Sequence, residues 1–212
     1  MRANAILLER AEAATNIVAA LSVLENAGQN LVTCLIDGAP FATLAHYPAD
    51  DVIDPESYAQ YYFHAHRGGY ESGHIHCFAR YAPAAALTHV AALSLDDTGR
   101  PARFFTTNLW VTDDHWLDAP RLINLLPRMV WQNAPGPEPV NRALTALFIL
   151  YRRELASLLR RRDKKLAQWA AKYPGQNPLA DERLEILSSV AVNLPKTLGR
   201  LRRQLGVADN EP

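Results

Sequence analysis

Apolar positions along the chain change period twice. Between residues 5 and 27, Leu7, Leu8, Ala11, Ala14, Val18, Leu21 and Leu24 recur at three- and four-residue steps, which predicts an amphipathic helix stopping at Gly28. The stretch "NLVTCLIDGAPFATL" reads as a short strand ending at Asp37-Gly38, with a helix-to-loop segment as the alternative. "HYPADDVIDPES", rich in Pro and Asp, reads as a loop. From 57 to 111 the period becomes two, and four strands are legible at about 58–66, 73–81, 87–95 and 102–111. "DDTGRP" forms a turn between the last two. Short links between consecutive strands favour an antiparallel meander.

Beyond 112 the helical period returns. Thr112 and Asp113 are good caps, and Pro120 and Pro127 interrupt the helical segment they open. After the linker "NAPGPEPV" a long helix is expected over about 138–172, striped by Leu144, Leu147, Phe148, Tyr151, Leu155 and Leu158. A last helix is expected with Leu184, Leu187, Val190, Leu194, Leu198 and Leu201 at near-heptad spacing, kinked or split at Pro195. The two would pair as a long helical hairpin. The expected architecture is therefore α+β in one domain over 1–212. An N-terminal helix (1–30) packs a small antiparallel meander of about four strands (31–111), and a helical region (112–212) completes the chain. The C-terminal helices are also the candidate surface for a homo-oligomer.

Composition changes this picture little. Hydrophobic residues make up 49% of the chain, charged residues 21%, and the formal net charge is zero. That balance argues against bulk nucleic acid or an anionic membrane as partner of the whole molecule. The charge is uneven, however: residues 150–205 carry thirteen Lys/Arg against five Asp/Glu. Part of the excess is the run Arg160, Arg161, Arg162, Lys164, Lys165, read as a solvated helix face because no aromatics interleave with it. Cys34 and Cys77 lie far apart and outside any C-x-x-C pattern, which excludes a disulfide scaffold or a thiolate zinc site. No signal-peptide core or membrane-length apolar run is legible, so a cytoplasmic protein is expected.

The chemistry is concentrated in "YYFHAHRGGYESGHIHCFARY", residues 61–81, which holds four of the seven histidines as two His-x-His pairs. Alternate residues of a strand share a face. His64 and His66 thus point one way with Tyr62, and His74 and His76 share a face with Phe78. A hairpin loop over 67–73 would set His66 opposite His74 and His64 opposite His76, with Cβ atoms roughly 5 Å apart. A one-residue slip would split the pairs between faces. Four imidazoles in one patch are ligands for a divalent transition metal such as Zn, Fe or Mn. Glu71 is an additional ligand or a base, and Arg67 joins it as the candidate catalytic pair. Arg67, Asn108 and Trp110 would orient a small-molecule substrate. His89 joins the patch if its face matches. His46 and His115 are assigned structural roles.

Other signatures are missing: there is no G-x-S-x-G, P-loop, G-x-G-x-x-G or H-E-x-x-H. Cys77 faces away from the histidines beside it and is a poor nucleophile. His64-x-His66-x4-Glu71 resembles the first half of the cupin metal motif, but Phe78 stands where that motif has glycine and no second motif is found. The segments "HAHR", "ESGHIHCF" and "LDDTGRPARFFTTNLWVT" together resemble an uncharacterised bacterial family, a domain of unknown function, over roughly residues 55–120. That resemblance implies no activity, cofactor or catalytic residue. The leading expectation is a metal-binding protein with its site on the His-rich hairpin, a metalloenzyme if a coordination position stays open. The alternative is a non-catalytic binding or interaction protein whose histidines are structural or hold an anionic ligand.

Overall fold

The computed structural model describes residues 2–66 and 71–207. Six antiparallel strands form one sheet in sequence order: β1 (Tyr47–Ile53), β2 (Gln60–His64), β3 (Gly73–Ala79), β4 (Thr88–Leu95), β5 (Pro101–Thr107) and β6 (Ile186–Ala191). The helices are α1 (Arg2–Asn26), α2 (Leu31–Ile36), α3 (Leu109–Thr112), α4 (Ala119–Leu125), α5 (Glu138–Leu150), α6 (Arg152–Lys172) and α7 (Leu194–Gln204). The α+β class and the meander are as expected. Two edge strands were not expected, and each has a local cause. In β1, Pro48 suits an edge because its missing N–H breaks no ladder. In β6, the β-branched Ile186 and Val190 fit a strand once β5 offers them an edge to pair with. Ser188 Oγ bonds Thr106 Oγ1 at 2.7 Å and donates to the Leu158 carbonyl at 2.9 Å, locking the strand between β5 and α6.

The expected helical hairpin is thereby replaced by helix, strand and short helix. The long helix is also interrupted: α5 gives way to α6 at the buried Tyr151 (φ −102°, ψ 14°). The stretch read as a first strand is instead α2. Asn30 Oδ1 accepts the Thr33 N–H at 3.0 Å, and Thr33 Oγ1 accepts the Asn30 N–H at 2.9 Å. This reciprocal capping box outweighs the β-propensity of "LVTCLI".

One face of the sheet presents Tyr61, Phe63, Ile75, Leu93 and Phe104, all fully buried. It packs on α5, where Phe104 meets Phe148 edge to face at 5.3 Å and Tyr61 donates its hydroxyl to Asn141 at 2.7 Å. α1 packs on α5 from behind and α6 crosses β5 and β6. The face of α1 turned inward is Ala13, Ile17, Ala20 and Leu24, whereas Leu8 and Val18 are 66% and 50% exposed. The helix is apolar on more than one side, so periodicity alone selects a stripe rotated from the buried one. Of the basic run, Arg161 and Lys165 donate to the Ser189 and Ile186 carbonyls of β6 and Arg162 is buried, so three of its five charges serve the packing of α6. No helix among the described residues is long and apolar enough to cross a membrane.

Phe104→Ala should cost about 3–5 kcal/mol in urea denaturation, the range for emptying a large buried aromatic site. Leu8→Ala should stay within about 0.5 kcal/mol of the parent. Equal losses would contradict the assigned face of α1.

Candidate functional site

The opposite face of the sheet carries the histidines, and strand pairing fixes their places. His64 pairs with His74 and Tyr62 with His76. The expected pairs, His66 with His74 and His64 with His76, are replaced by a register shifted by two residues, because β2 ends at His64 and His66 lies beyond the strand. A two-residue shift preserves parity, so both strands keep their even-numbered side chains on one face. Gly73 makes the close approach possible. Its φ is +141°, and a Cβ there would lie 2.5 Å from the Phe63 ring and 2.8 Å from the His64 carbonyl oxygen.

Three rungs cross this face. The first runs His64, His74, Ser94, Arg103; the second Tyr62, His76, Ala92, Phe105. The third runs Gln60, Phe78, His89, because a bulge opposite the Cys77–Phe78 step leaves Val90 over and turns His89 onto the histidine side. The ring centroids of His64 and His74 are 4.5 Å apart, His64 and His66 5.0 Å, His66 and His74 5.1 Å, and His74 and His76 4.8 Å. Nitrogens of His64, His66 and His74 gather within 4.8 Å of one another. His74 and His76 are buried, His64 is partly buried and His66 is exposed. The group that could hold a metal is therefore open on the His66 side.

The partners of these rings are specific. His74 Nδ1 lies 2.5 Å from Glu71 Oε1, and its Nε2 lies 2.7 Å from His64 Nε2. The Glu71 side chain is 1% exposed; it also accepts the Ser94 hydroxyl and has the Arg103 guanidinium at 3.7 Å. A second chain starts at His76, whose Nδ1 is 3.0 Å from His89 Nε2, while His89 Nδ1 faces Thr107 Oγ1 at 3.3 Å. Burial first, then the charges of Arg162 and His74, lower the His89 pKa to about 3, so this ring stays neutral. The backbone N–H of His89 donates to Asp114 Oδ2 at 2.6 Å. Burial raises the Asp114 carboxyl to about 6 against the opposing pull of its hydrogen bonds and Arg162. Tyr62 stacks on His46 at 3.6 Å between centroids. Burial, then Asp51 and Asp114, push the Tyr62 phenol up to about 12, so it remains protonated.

Of the residues named from sequence, His64, His66, His74, His76 and Glu71 come together here. Arg67 lies outside the described residues. Asn108 and Trp110 have their polar atoms committed elsewhere. Asn108 caps α3 and donates to the Pro178 carbonyl at 2.8 Å, and Trp110 Nε1 donates to the Leu184 carbonyl at 3.2 Å. His46 bonds Asp51 at 2.9 Å, and its ring centroid lies 6.1 Å from that of His64. Cys77 points into the core, and burial drives its thiol pKa up, which removes it as a nucleophile. Sequence reasoning missed Ser94 and Arg103. Their signal was the "DDTGRP" turn, where Asp96 Oδ1 accepts the N–H groups of Thr98 and Arg100 and so fixes the β4–β5 register. The β3–β4 pairing sets Ser94 beside His74, and the β4–β5 register then sets Arg103 opposite Ser94.

A family model matches residues 11–192. The chain belongs to the domain-of-unknown-function family DUF6969. The match takes in the whole sheet and α2 to α6, so every residue of the histidine face lies inside the family domain. No curated protein and no solved structure matches the chain.

This geometry has two measurable consequences. Gly73→Ala should destabilise the fold by about 2 kcal/mol or more in chemical denaturation, since the added methyl meets both a ring and backbone. The second concerns pH. The lowered pKa of His89 gives stability that is present above pH about 6.5 and lost as pH falls toward 3. The raised pKa of Asp114 gives stability that is present below pH about 3.8 and lost as pH rises through 6. The two trends oppose each other between about pH 4 and 6. Asp114→Asn, which keeps an acceptor for the His89 N–H, should steepen the fall of stability with acid there, by up to about 1 kcal/mol per pH unit. Unfolding at several pH values measures this, and parallel profiles would contradict it.

Proposed function

We propose that this chain binds a divalent transition metal ion of the zinc, iron or manganese class through His64, His66 and His74. The observation that carries this reading is the convergence of three imidazole nitrogens within 4.8 Å, with Glu71 on the far nitrogen of His74. A carboxylate on Nδ1 fixes the tautomer that leaves Nε2 as the ligand atom and makes that nitrogen more basic. Ser94 and Arg103 in turn hold Glu71. The 2.7 Å contact between the Nε2 atoms of His64 and His74 places one proton between them. A metal ion would take that proton's place. In a tetrahedral shell with bonds of roughly 2.0–2.1 Å the two nitrogens stand roughly 3.3 Å apart, so a small separation of the rings suffices.

Three protein ligands are the count found where a coordination position stays open for water or a small molecule. The exposed edge at His66 gives such a molecule access. His76 borders the site and is backed by the buried, neutral His89. Acid weakens metal binding here, because imidazoles must be neutral to coordinate.

A second reading is favoured by the Glu71–His74–His64 chain itself, in which each contact is already a hydrogen bond. On that reading the histidines form a metal-free polar cluster. Elemental analysis of tag-free protein separates the two. The metal reading expects close to one equivalent of zinc, iron or manganese, carried over or bound on reconstitution, and its loss in His64→Ala/His74→Ala. It also expects a rise in melting temperature equivalent to about 2.7 kcal/mol when free metal stands at a hundred times its dissociation constant. No metal in the parent after reconstitution, with an unchanged melting temperature, would leave the polar cluster.

A further inference from the structure

A cleft of about 600 Å³ lies away from the histidines, walled by α1, the α5–α6 junction and α7, and four arginines line it: Arg10, Arg152, Arg153 and Arg200. The walls are tied together. Tyr151 at the junction bonds Thr197 Oγ1 at 2.9 Å and accepts the Asn193 N–H at 3.0 Å, which seats the start of α7 beside α6. Arg10 reaches across to Gln204 at 3.4 Å. Arg152 holds Glu9 in a two-pronged pair at 3.0 and 2.8 Å, so those two charges cancel. What remains is Arg10, Arg153 and Arg200 against the single carboxylate of Glu154. Arg153 and Arg200 are exposed and pair with no carboxylate among the described residues. The cleft therefore concentrates part of the basic excess of residues 150–205, and it does so where the helices leave a cavity rather than a flat face.

We infer that this cleft is a binding site for a phosphate-bearing ligand, a class with two or more negative charges whose oxygens match guanidinium forks. Arginines from three separate helices line one volume of the size that holds a small molecule. Planar donors in pairs recognise phosphate by geometry as well as by charge. Such a phosphate belongs either to a free metabolite or to a lipid headgroup, and Ile6, 52% exposed on the cleft wall, would then meet the lipid.

Titration calorimetry with inorganic pyrophosphate tests the site in the full-length protein. The parent should bind, and Arg153→Ala/Arg200→Ala should bind about tenfold or more weakly, the loss expected for charged hydrogen bonds. Both side chains are exposed, and circular dichroism of the variant checks that the fold is kept. Arg160→Ala, which removes an exposed arginine outside the cleft, should bind like the parent. A sedimentation assay with phosphatidylcholine vesicles, with and without phosphatidic acid, distinguishes the sources. Pyrophosphate binding without sedimentation assigns a soluble ligand. Sedimentation dependent on phosphatidic acid, lost in the double variant and competed by pyrophosphate, assigns a headgroup. Absence of both kinds of binding, or equal loss in Arg160→Ala, overturns the inference. None of these outcomes depends on metal content.

Discussion

The histidine face exists because β2 and β3 pair antiparallel with His64 against His74. In a two-residue period, that single pairing decides which side of the sheet each side chain of β2 and β3 takes. It sends Tyr61, Phe63, Ile75 and Cys77 into the core against α5, and it leaves Tyr62, His64, His74 and His76 together on the other side. The same pairing has a backbone requirement. The ring of Phe63 and the carbonyl of His64 sit where any side chain on residue 73 would be, so glycine is the residue that lets the strands close. Core packing and site assembly are thus two consequences of one register.

The cost of that arrangement is a polar surface held away from water. A buried carboxylate is expensive unless it is hydrogen-bonded and its charge balanced. Glu71 meets both conditions with an imidazole, a hydroxyl and a guanidinium drawn from three different strands. Such an arrangement orients His74 more firmly than packing alone would, and an oriented imidazole beside two others is what a cation requires. Further along the face, neutral His89 and protonated Tyr62 add no charge of their own, so the electrostatic character of the site is set at the Glu71 end.

Much of this was legible in the residues. A two-residue period on either side of the glycine-rich loop showed the sheet and the shared face, and four histidines in it identified the candidate chemistry. Legibility ended where long-range pairing or local capping decides. Nothing in "ILSSVA" reveals that β5 offers it an edge, and only the Asn30–Thr33 reciprocity turns "LVTCLI" into a helix. His89 depended on a bulge that shifts its face, which a periodic reading leaves open. Asn108 and Trp110 adjoin the sheet in sequence, yet their polar atoms serve the 178–184 segment, a contact between residues some seventy positions apart. The stripe on α1 is misread for a different reason: its apolar residues cover more than one side, so period alone cannot say which side is buried.

The most direct measurement is anomalous diffraction from a crystal soaked in zinc or manganese. The predicted result is one peak at coordination distance from nitrogens of His64, His66 and His74, with the two Nε2 atoms drawn apart and Glu71 still on Nδ1 of His74. A soaked crystal with no such peak, in which the His64–His74 contact stays closed at its present length, would contradict metal binding at this face.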